Sequence, residues 1–286
     1  MEYKTLANGV EMPMLGYGVF QVGPAETERC VAQALDAGYR LIDTAQVYGN
    51  EEGVGTAIAH ADIARDDLFI VDKVWIANYG EGHTMDSIDR SLEKLGTDHI
   101  DLMLLHQPYG DYYGAYRDLE KAYEQGKVRT IGVSNFNANR LIDICTFAKV
   151  VPAVDQIETH VFWQQNEARA VMERYGVAPM AWSPFAEGAN GFFANPQLAE
   201  IGAKYDKSPA QVALRYLMDL GVIVIPKSTH RERMDQNFDV FDFELTDGER
   251  AQIAKLDGNK SLVFDHSDVK LIDGWLGGFA TGRKQA

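Results

Sequence analysis

Cysteine is scarce in this chain: Cys30 and Cys145 are the only two among 286 residues, with no Cys-x-x-Cys pair. That excludes a disulfide-built scaffold and fits a reducing compartment. Basic residues are outnumbered, 27 against 42 acidic, giving a formal net charge of −15. A surface of that sign repels phosphate backbones and anionic lipid, which excludes nucleic-acid or membrane-surface binding as the main task. Any anionic ligand has to be held by locally placed cations. Long apolar runs are missing too: nothing approaches the ~18 uninterrupted apolar residues of a membrane span, and the opening Met1-Glu2-Tyr3-Lys4 lacks a secretory signal's apolar stretch. The histidines at 60, 83, 99, 106, 160, 230 and 266 form no His-x-His or His-Glu-x-x-His pair, so no metal is expected. No Gly-x4-Gly-Lys-Ser/Thr loop occurs, and the Gly16-Tyr17-Gly18 start of a dinucleotide fingerprint meets Gln21 where a third glycine belongs. These absences predict a soluble, cytoplasmic, monomeric protein.

What is there reads as a globular α/β chain, with 46% hydrophobic and 24% charged residues. After an Asn8-Gly9 hairpin turn, short apolar runs alternate with segments of helical period. The strand candidates are Leu15 to Val19, Arg40 to Ile42, Leu68 to Val71, Ile100 to Leu105, Arg129 to Val133, Pro152 to Val154, Ala178 to Ala181 and Val222 to Ile225. Between them, Met85, Ile88, Leu92 and Leu95 fall on one helical stripe, as do Ala168, Val171, Met172 and Tyr175 ahead of a C-capping Gly176. Ser208-Pro209 predicts an N-cap and first helical position, and Thr246-x-x-Glu249 a capping box. Eight such units predict one domain over 1–286, a (β/α)8 TIM barrel with an N-terminal β-hairpin. From about Asn259 the pattern becomes irregular, a C-terminal tail expected to lie over one barrel end.

Polar residues follow nearly every strand: Asp43 and Tyr48, Lys73, His106, Ser134-Asn135, Asp155-Gln156, Trp182-Ser183, and Lys227-Ser228. Singly, each has a plain structural explanation as turn, cap, packing or surface residue. In a closed barrel, however, they converge on the C-terminal face, where barrel enzymes build their sites. The set has a chemical logic. Tyrosine is a poor acid or base near neutrality, a neighbouring lysine cation favours tyrosinate, and Asp43 can hold that lysine in place. His106 can bind and aim a carbonyl oxygen. Such a group of residues suits protonation of an alkoxide as it forms during hydride transfer to a carbonyl.

From Asn8-Gly9 to about residue 265 the chain resembles the aldo-keto reductases. The resemblance rests on Asp43-Thr-Ala-x-x-Tyr48-Gly-Asn-Glu51, Leu105-His106-x-Pro108, Ile131-Gly-Val-Ser-Asn-Phe136, and Ile225-Pro-Lys-Ser228 followed by Arg233. It implies an NADPH-dependent oxidoreductase in which Tyr48 is the general acid, Lys73 and Asp43 tune it, and His106 orients the substrate carbonyl. It further implies that Ser134, Asn135 and Gln156 bind the nicotinamide carboxamide, with Trp182 stacked on the ring and Ser183 beside it. Lys227, Ser228 and Arg233 would hold the adenosine 2′-phosphate of NADPH or NADP+, with Gln236 and Asn237 near the adenine. Gly49, Asn50 and Glu51 are assigned to turn and helix-start structure.

Within the family the chain is most similar to the prokaryotic branch with 2,5-diketo-gluconate and glyoxal or methylglyoxal reductases. Departures lie around the tetrad. Asp72 stands before Lys73 where threonine is frequent, and strand alternation predicts that it faces away from Lys73. Asp155 replaces a usual asparagine, and His230 a common threonine. Phe20 and Gln107 occupy frequent tryptophan positions, giving with Trp75 and Tyr109 a more polar substrate pocket. Tyr112 and Tyr113 are expected beside it. Small, oxygen-rich carbonyl compounds are the expected substrates. A Schiff-base barrel enzyme using Asp43, Lys73 and His106 leaves Tyr48 and the Lys227-to-Arg233 cluster unused. A non-catalytic subunit on the same fold leaves the intact tetrad without a task.

Overall fold

The computed structural model describes residues 1–280. The last six positions of the expected tail, 281–286, lie outside the described residues. Strands β1 (Tyr3–Thr5) and β2 (Glu11–Pro13) form the antiparallel hairpin, with Gly9 at φ +82° in the connecting loop. Asn8 Nδ2 donates to Arg129 O and Lys4 Nζ to Gly221 O. Both acceptors precede barrel strands, so the hairpin plugs the N-terminal mouth of the barrel.

Eight parallel strands follow in sequence order: β3 (Tyr17–Gly18), β4 (Leu41–Asp43), β5 (Phe69–Val74), β6 (Leu102–Leu105), β7 (Ile131–Ser134), β8 (Val154–Glu158), β9 (Ala178–Trp182) and β10 (Ile223–Val224). The ring closes between its first and last members. Leu15 pairs in parallel with Val224, Gly16 N–H donates to Val224 O, and Gly18 N–H to Pro226 O. All eight predicted strands are present, shifted by up to a few residues. The strands read as continuous apolar runs because both faces are covered: Leu102, Met103, Leu104 and Leu105 are fully buried.

The outer ring comprises α1 (Pro24–Ala37), α2 (Glu51–His60), α3 (His83–Leu95), α4 (Tyr112–Glu124), α5 (Ala138–Phe147), α6 (Asn166–Tyr175), α7 (Pro196–Ala203), α8 (Pro209–Asp219) and α9 (Arg231–Phe238). α10 (Asp247–Ala254) and α11 (Val269–Trp275) complete the chain order. The end signals read from the sequence are realised. Gly176 terminates α6 at φ +71°, and Ser208 and Thr246 form reciprocal capping boxes with Gln211 and Glu249. Among the described residues no helix is long and apolar enough to cross a membrane.

The tail crosses the C-terminal mouth and is tied there by one carboxylate. Glu158, at the end of β8, is 2% exposed. It accepts hydrogen bonds from Leu262 N (2.8 Å), Val263 N (3.1 Å), Phe264 N (3.2 Å) and Ser261 Oγ (2.7 Å), and contacts His160 Nε2 at 3.1 Å. Donors converging on a buried carboxylate stabilise its charge, and they hold it below the usual carboxylate range although burial pushes upward.

Candidate active site

Asp43 and Lys73 end neighbouring strands and point into the barrel mouth. Lys73 Nζ, fully buried, donates to Asp43 Oδ1 at 2.6 Å and to Thr44 O at 2.9 Å. It also sits 5.2 Å from the centroid of the Tyr48 ring. Burial disfavours the lysine cation, yet Asp43 and Tyr48 outweigh it and hold Lys73 above its usual range. Asp72 faces the other way, as alternation requires. Its Oδ1 accepts from Lys73 N at 2.7 Å, and its surroundings include Glu51 and Ser91 on α2 and α3.

Tyr48 rides on a 3-10 turn, Gln46–Tyr48, just after β4. Gln46 fastens that turn. Its amide nitrogen donates to Ser87 Oγ (3.1 Å) and Ser91 Oγ (3.2 Å), while its oxygen accepts from Trp75 N (3.0 Å) and Asn78 Nδ2 (2.8 Å). Gln46 occupies one of the two unspecified positions inside the Asp43-to-Glu51 motif, and the motif therefore gave no signal for it. Asn50 and Glu51 are structural, as assigned. Asn50 Nδ2 donates to Val19 O and Val22 O, and buried Glu51 accepts from Ser91 Oγ and Lys94 Nζ.

The expectation that Lys73 lowers the tyrosine's pKa meets a stronger opposing effect. Burial pushes the Tyr48 hydroxyl upward, Lys73 pulls it back only in part, and the net shift is upward. His106 closes the group from β6, its ring edge-on to Tyr48 (centroids 5.7 Å) and to Trp75 (5.2 Å). Burial, then the Lys73 charge, hold its imidazole well below the usual histidine range.

Three further strand ends are interlocked with these. Gln156 Nε2 donates to Asp43 Oδ2 at 2.8 Å, and Ser134 Oγ donates to Gln156 O at 2.8 Å. Asn135, at φ +65° in a region asparagine tolerates well, turns its amide back to donate to His106 O at 3.0 Å and accept from Trp182 Nε1 at 2.8 Å. A cavity of about 820 Å³ opens above them, lined by the tetrad members Asp43, Tyr48 and His106, by Ser134, Asn135, Gln156, Trp182 and Ser183, and by Phe20, Trp75 and Gln107. Lys73 lies beneath its floor. The tail supplies Phe264, His266 and Trp275 to the same wall, residues that an irregular sequence pattern did not single out.

Tyr109 is not on that wall. Its hydroxyl donates to His266 O at 3.2 Å and its ring stands 6.1 Å from Trp275, so it backs the tail instead. Tyr112 bonds Asp143 at 3.0 Å and packs on Phe136, and Tyr113 stacks on Tyr112, both away from the cavity. As the first residues of α4, they are turned by the helix toward α5.

A second cavity of about 550 Å³ shares Phe185, Phe193 and Lys227 with the first and continues over Ser228, His230, Arg233, Gln236 and Asn237. Lys227 and Arg233 are both exposed and, among the described residues, neither has a carboxylate partner. In a protein of net charge −15, two unneutralised cations at the start of a helix make a local anion site.

The Aldo/keto reductase family model matches residues 14–258. Methylglyoxal reductase DkgA from Yersinia pestis is 42% identical over 260 residues, 90% of this chain and 93% of that protein. A 9,11-endoperoxide prostaglandin H2 reductase from Trypanosoma cruzi is 42% identical over 264 residues, covering 91% and 93%. Among solved structures, an aldo-keto reductase from Bombyx mori in complex with NADP superposes with a TM-score of 0.87 at 34% identity, covering 94% of this chain and 96% of that one. With the barrel, the strand-end constellation and these likenesses in agreement, the chain belongs to the aldo/keto reductase family.

Proposed function

We propose that this protein reduces the aldehyde or ketone group of small polar carbonyl compounds to alcohols, with NADPH as cofactor and Tyr48 as general acid. The observation that carries the reading is the Asp43–Lys73–Tyr48 stack beside His106, with Asp43, Tyr48 and His106 opening on one cavity and Lys73 buried beneath it. NADPH, when bound, supplies the hydride. The chain's own residues supply orientation and the proton. Burial keeps the Tyr48 hydroxyl protonated at neutral pH, as an acid must be. The Lys73 ammonium beneath the ring stabilises the tyrosinate left after proton transfer.

His106 is neutral, and its Nδ1 is buried without a hydrogen-bond partner among the described residues. An unpaired lone pair there costs less than an unpaired N–H, which puts the proton on Nε2, ready to donate to the carbonyl oxygen. The cofactor groove fits the same reading. Trp182 is held by Asn135 and would stack on the nicotinamide, with Ser134, Asn135, Gln156 and Ser183, which line the same cavity, around that end. Lys227, Ser228 and Arg233 would hold the 2′-phosphate, and Gln236 and Asn237, which line the same cavity, would flank the adenine.

The substrate side joins apolar Phe20, Trp75 and Trp275 to polar Gln107 and His266, and the Yersinia relative is named for methylglyoxal reduction. Both support a compact, oxygen-bearing substrate. NADPH consumption across a panel of carbonyl compounds tests the activity, and Tyr48→Phe tests the acid. The variant should bind NADPH while kcat falls about 10²–10⁴-fold, the usual worth of general acid catalysis. Retention of more than about a tenth of wild-type kcat removes Tyr48 from that role.

A further inference from the structure

Gln107 is held with unusual rigidity for a pocket residue. Its backbone N–H donates to Tyr79 Oη at 3.0 Å, and the same hydroxyl donates to Gln107 O at 2.9 Å. Its side-chain oxygen is engaged by the tail: His266 Nε2 lies 2.9 Å from Gln107 Oε1. An amide oxygen only accepts, so His266 carries its proton on Nε2. Burial keeps this imidazole neutral, with a pKa lowered to about 4, and the donor arrangement persists across the physiological range. Tyr109 Oη fixes the backbone of His266 from behind, and Glu158 fixes the three residues Leu262, Val263 and Phe264 just before it.

One group in this arrangement is left over. Gln107 Nε2 makes no hydrogen bond to any described residue, although Gln107 is 8% exposed and lines the cavity beside His106. An oriented amide donor facing a pocket is a recognition element, because a substrate lacking the matching oxygen leaves it unpaired. His266, 2.9 Å from Gln107 Oε1, is near enough to His106 to help lower that imidazole's pKa, and all three residues line one cavity, so a group read by Gln107 lies beside the carbonyl oxygen read by His106.

Resting on the carbonyl-reductase reading above, we propose that Gln107 is a specificity-determining residue. Its amide nitrogen binds an acceptor oxygen on the substrate carbon next to the reacting carbonyl, and His266 positions that amide from the tail. The enzyme thereby favours vicinally oxygenated carbonyls over plain ones of the same size.

Butane-2,3-dione and butan-2-one share a carbon skeleton and differ in that one oxygen. The experiment compares the ratio of their kcat/KM values, with NADPH, in wild type, Gln107→Met, His266→Phe and the double variant. Tryptophan-fluorescence titration with NADPH verifies that each variant is folded. Loss of one neutral hydrogen bond should lower the ratio about three- to tenfold in Gln107→Met. His266→Phe should lower it by less, and should do nothing further once Gln107 is methionine, since it acts only through that side chain. Should Gln107→Met fail to bind NADPH, Gln107→Leu and His266→Phe carry the same test. A ratio unchanged within about twofold in the folded Gln107 and His266 variants, with the wild type reducing both ketones, overturns the clamp and leaves the reductase reading intact. A wild type that oxidises NADPH with neither ketone nor any other carbonyl overturns the reductase reading itself.

Discussion

Gln156 Nε2 donates to Asp43 Oδ2 at 2.8 Å, while the other oxygen of the same carboxylate accepts from Lys73 at 2.6 Å. One carboxylate thus joins Gln156 on β8 to the lysine under Tyr48. On the proposed reading, this couples the cofactor end of the site to its proton end.

That sharing makes Asp43 and Lys73 a buried pair whose halves are unequal when separated. Asp43→Asn leaves the Lys73 ammonium in the barrel without a counter-charge. Removing one partner of a buried ion pair typically costs about 3–5 kcal/mol, whereas replacing both with uncharged groups is often close to neutral. Chemical denaturation should therefore find Asp43→Asn markedly less stable than wild type, and Asp43→Asn/Lys73→Met more stable than Asp43→Asn alone. Simple additivity of the two losses would mean that the pair is not coupled in the fold.

The pH profile follows from the directions of three shifts. On the proposed mechanism, reduction needs Tyr48 protonated, Lys73 charged and His106 neutral. Tyr48 and Lys73 are both held above their usual ranges, and His106 well below its own. None of the three changes state between about pH 6 and 9. The kcat for reduction should be flat across that window and fall only at more alkaline pH, as the acid loses its proton. An inflection near about 6.5, the ordinary histidine value, would show that His106 titrates and that its burial is weaker than the packing implies.

Much of this was legible in the sequence, for identifiable reasons. The barrel followed from eight apolar runs spaced by helical segments, and the clustering of Asp43, Tyr48, Lys73 and His106 from polar residues placed just after them. Strand ends shifted because pairing, not apolarity, sets them: Arg40 and Leu68 read as strand starts, but regular pairing begins at Leu41 and Phe69. What sequence did not give were contacts made across long separations by residues of ordinary type. Glu158 binding the tail more than a hundred positions later, and His266 reaching Gln107 across 159 positions, leave no periodic trace. The placement of Tyr109, Tyr112 and Tyr113 failed for a related cause. Proximity in sequence to His106 does not say which way a helix start turns its side chains.

Asp155 is a departure whose consequence is measurable. It is fully buried on β8, neither carboxyl oxygen has a side-chain partner among the described residues, and burial, opposed only by the Phe136 backbone, pushes its pKa well above the carboxylate range. The folded protein therefore keeps Asp155 protonated, while the unfolded chain ionises it above about pH 4. A group whose folded pKa is raised contributes its full stability below the unfolded value and loses it as pH rises. Asp155→Asn, which removes that titration, should be more stable than the wild type at pH 7, as chemical denaturation would read. Near pH 4 the difference should nearly vanish. Equal stability of the two proteins at pH 7 would mean that Asp155 is ionised in the fold and compensated.

On the proposed reading, cofactor choice is decided at the far end of the groove, where Lys227 and Arg233 bracket the start of α9. Both stand exposed, and neither is neutralised by a carboxylate among the described residues, whereas Arg231 on the same helix is paired with Asp235 at 2.8 Å. The contrast matters because the overall charge of −15 opposes any phosphate. Only cations kept free of internal partners can offer full attraction to one. Hydrogen bonds to charged groups are worth about 1.5–3 kcal/mol each, or about 10- to 150-fold in affinity. NADPH should therefore bind at least about tenfold more tightly than NADH, with the gap narrowing as ionic strength rises. Arg233→Ala should weaken NADPH by about that factor and leave NADH nearly unchanged, because the 2′-phosphate is the one group that distinguishes them. Fluorescence titration of both cofactors against wild type and variant reads this directly. Equal affinities in the wild type, or a variant that loses both cofactors alike, would move the phosphate away from Arg233 and leave the exposed cations as ordinary surface charge.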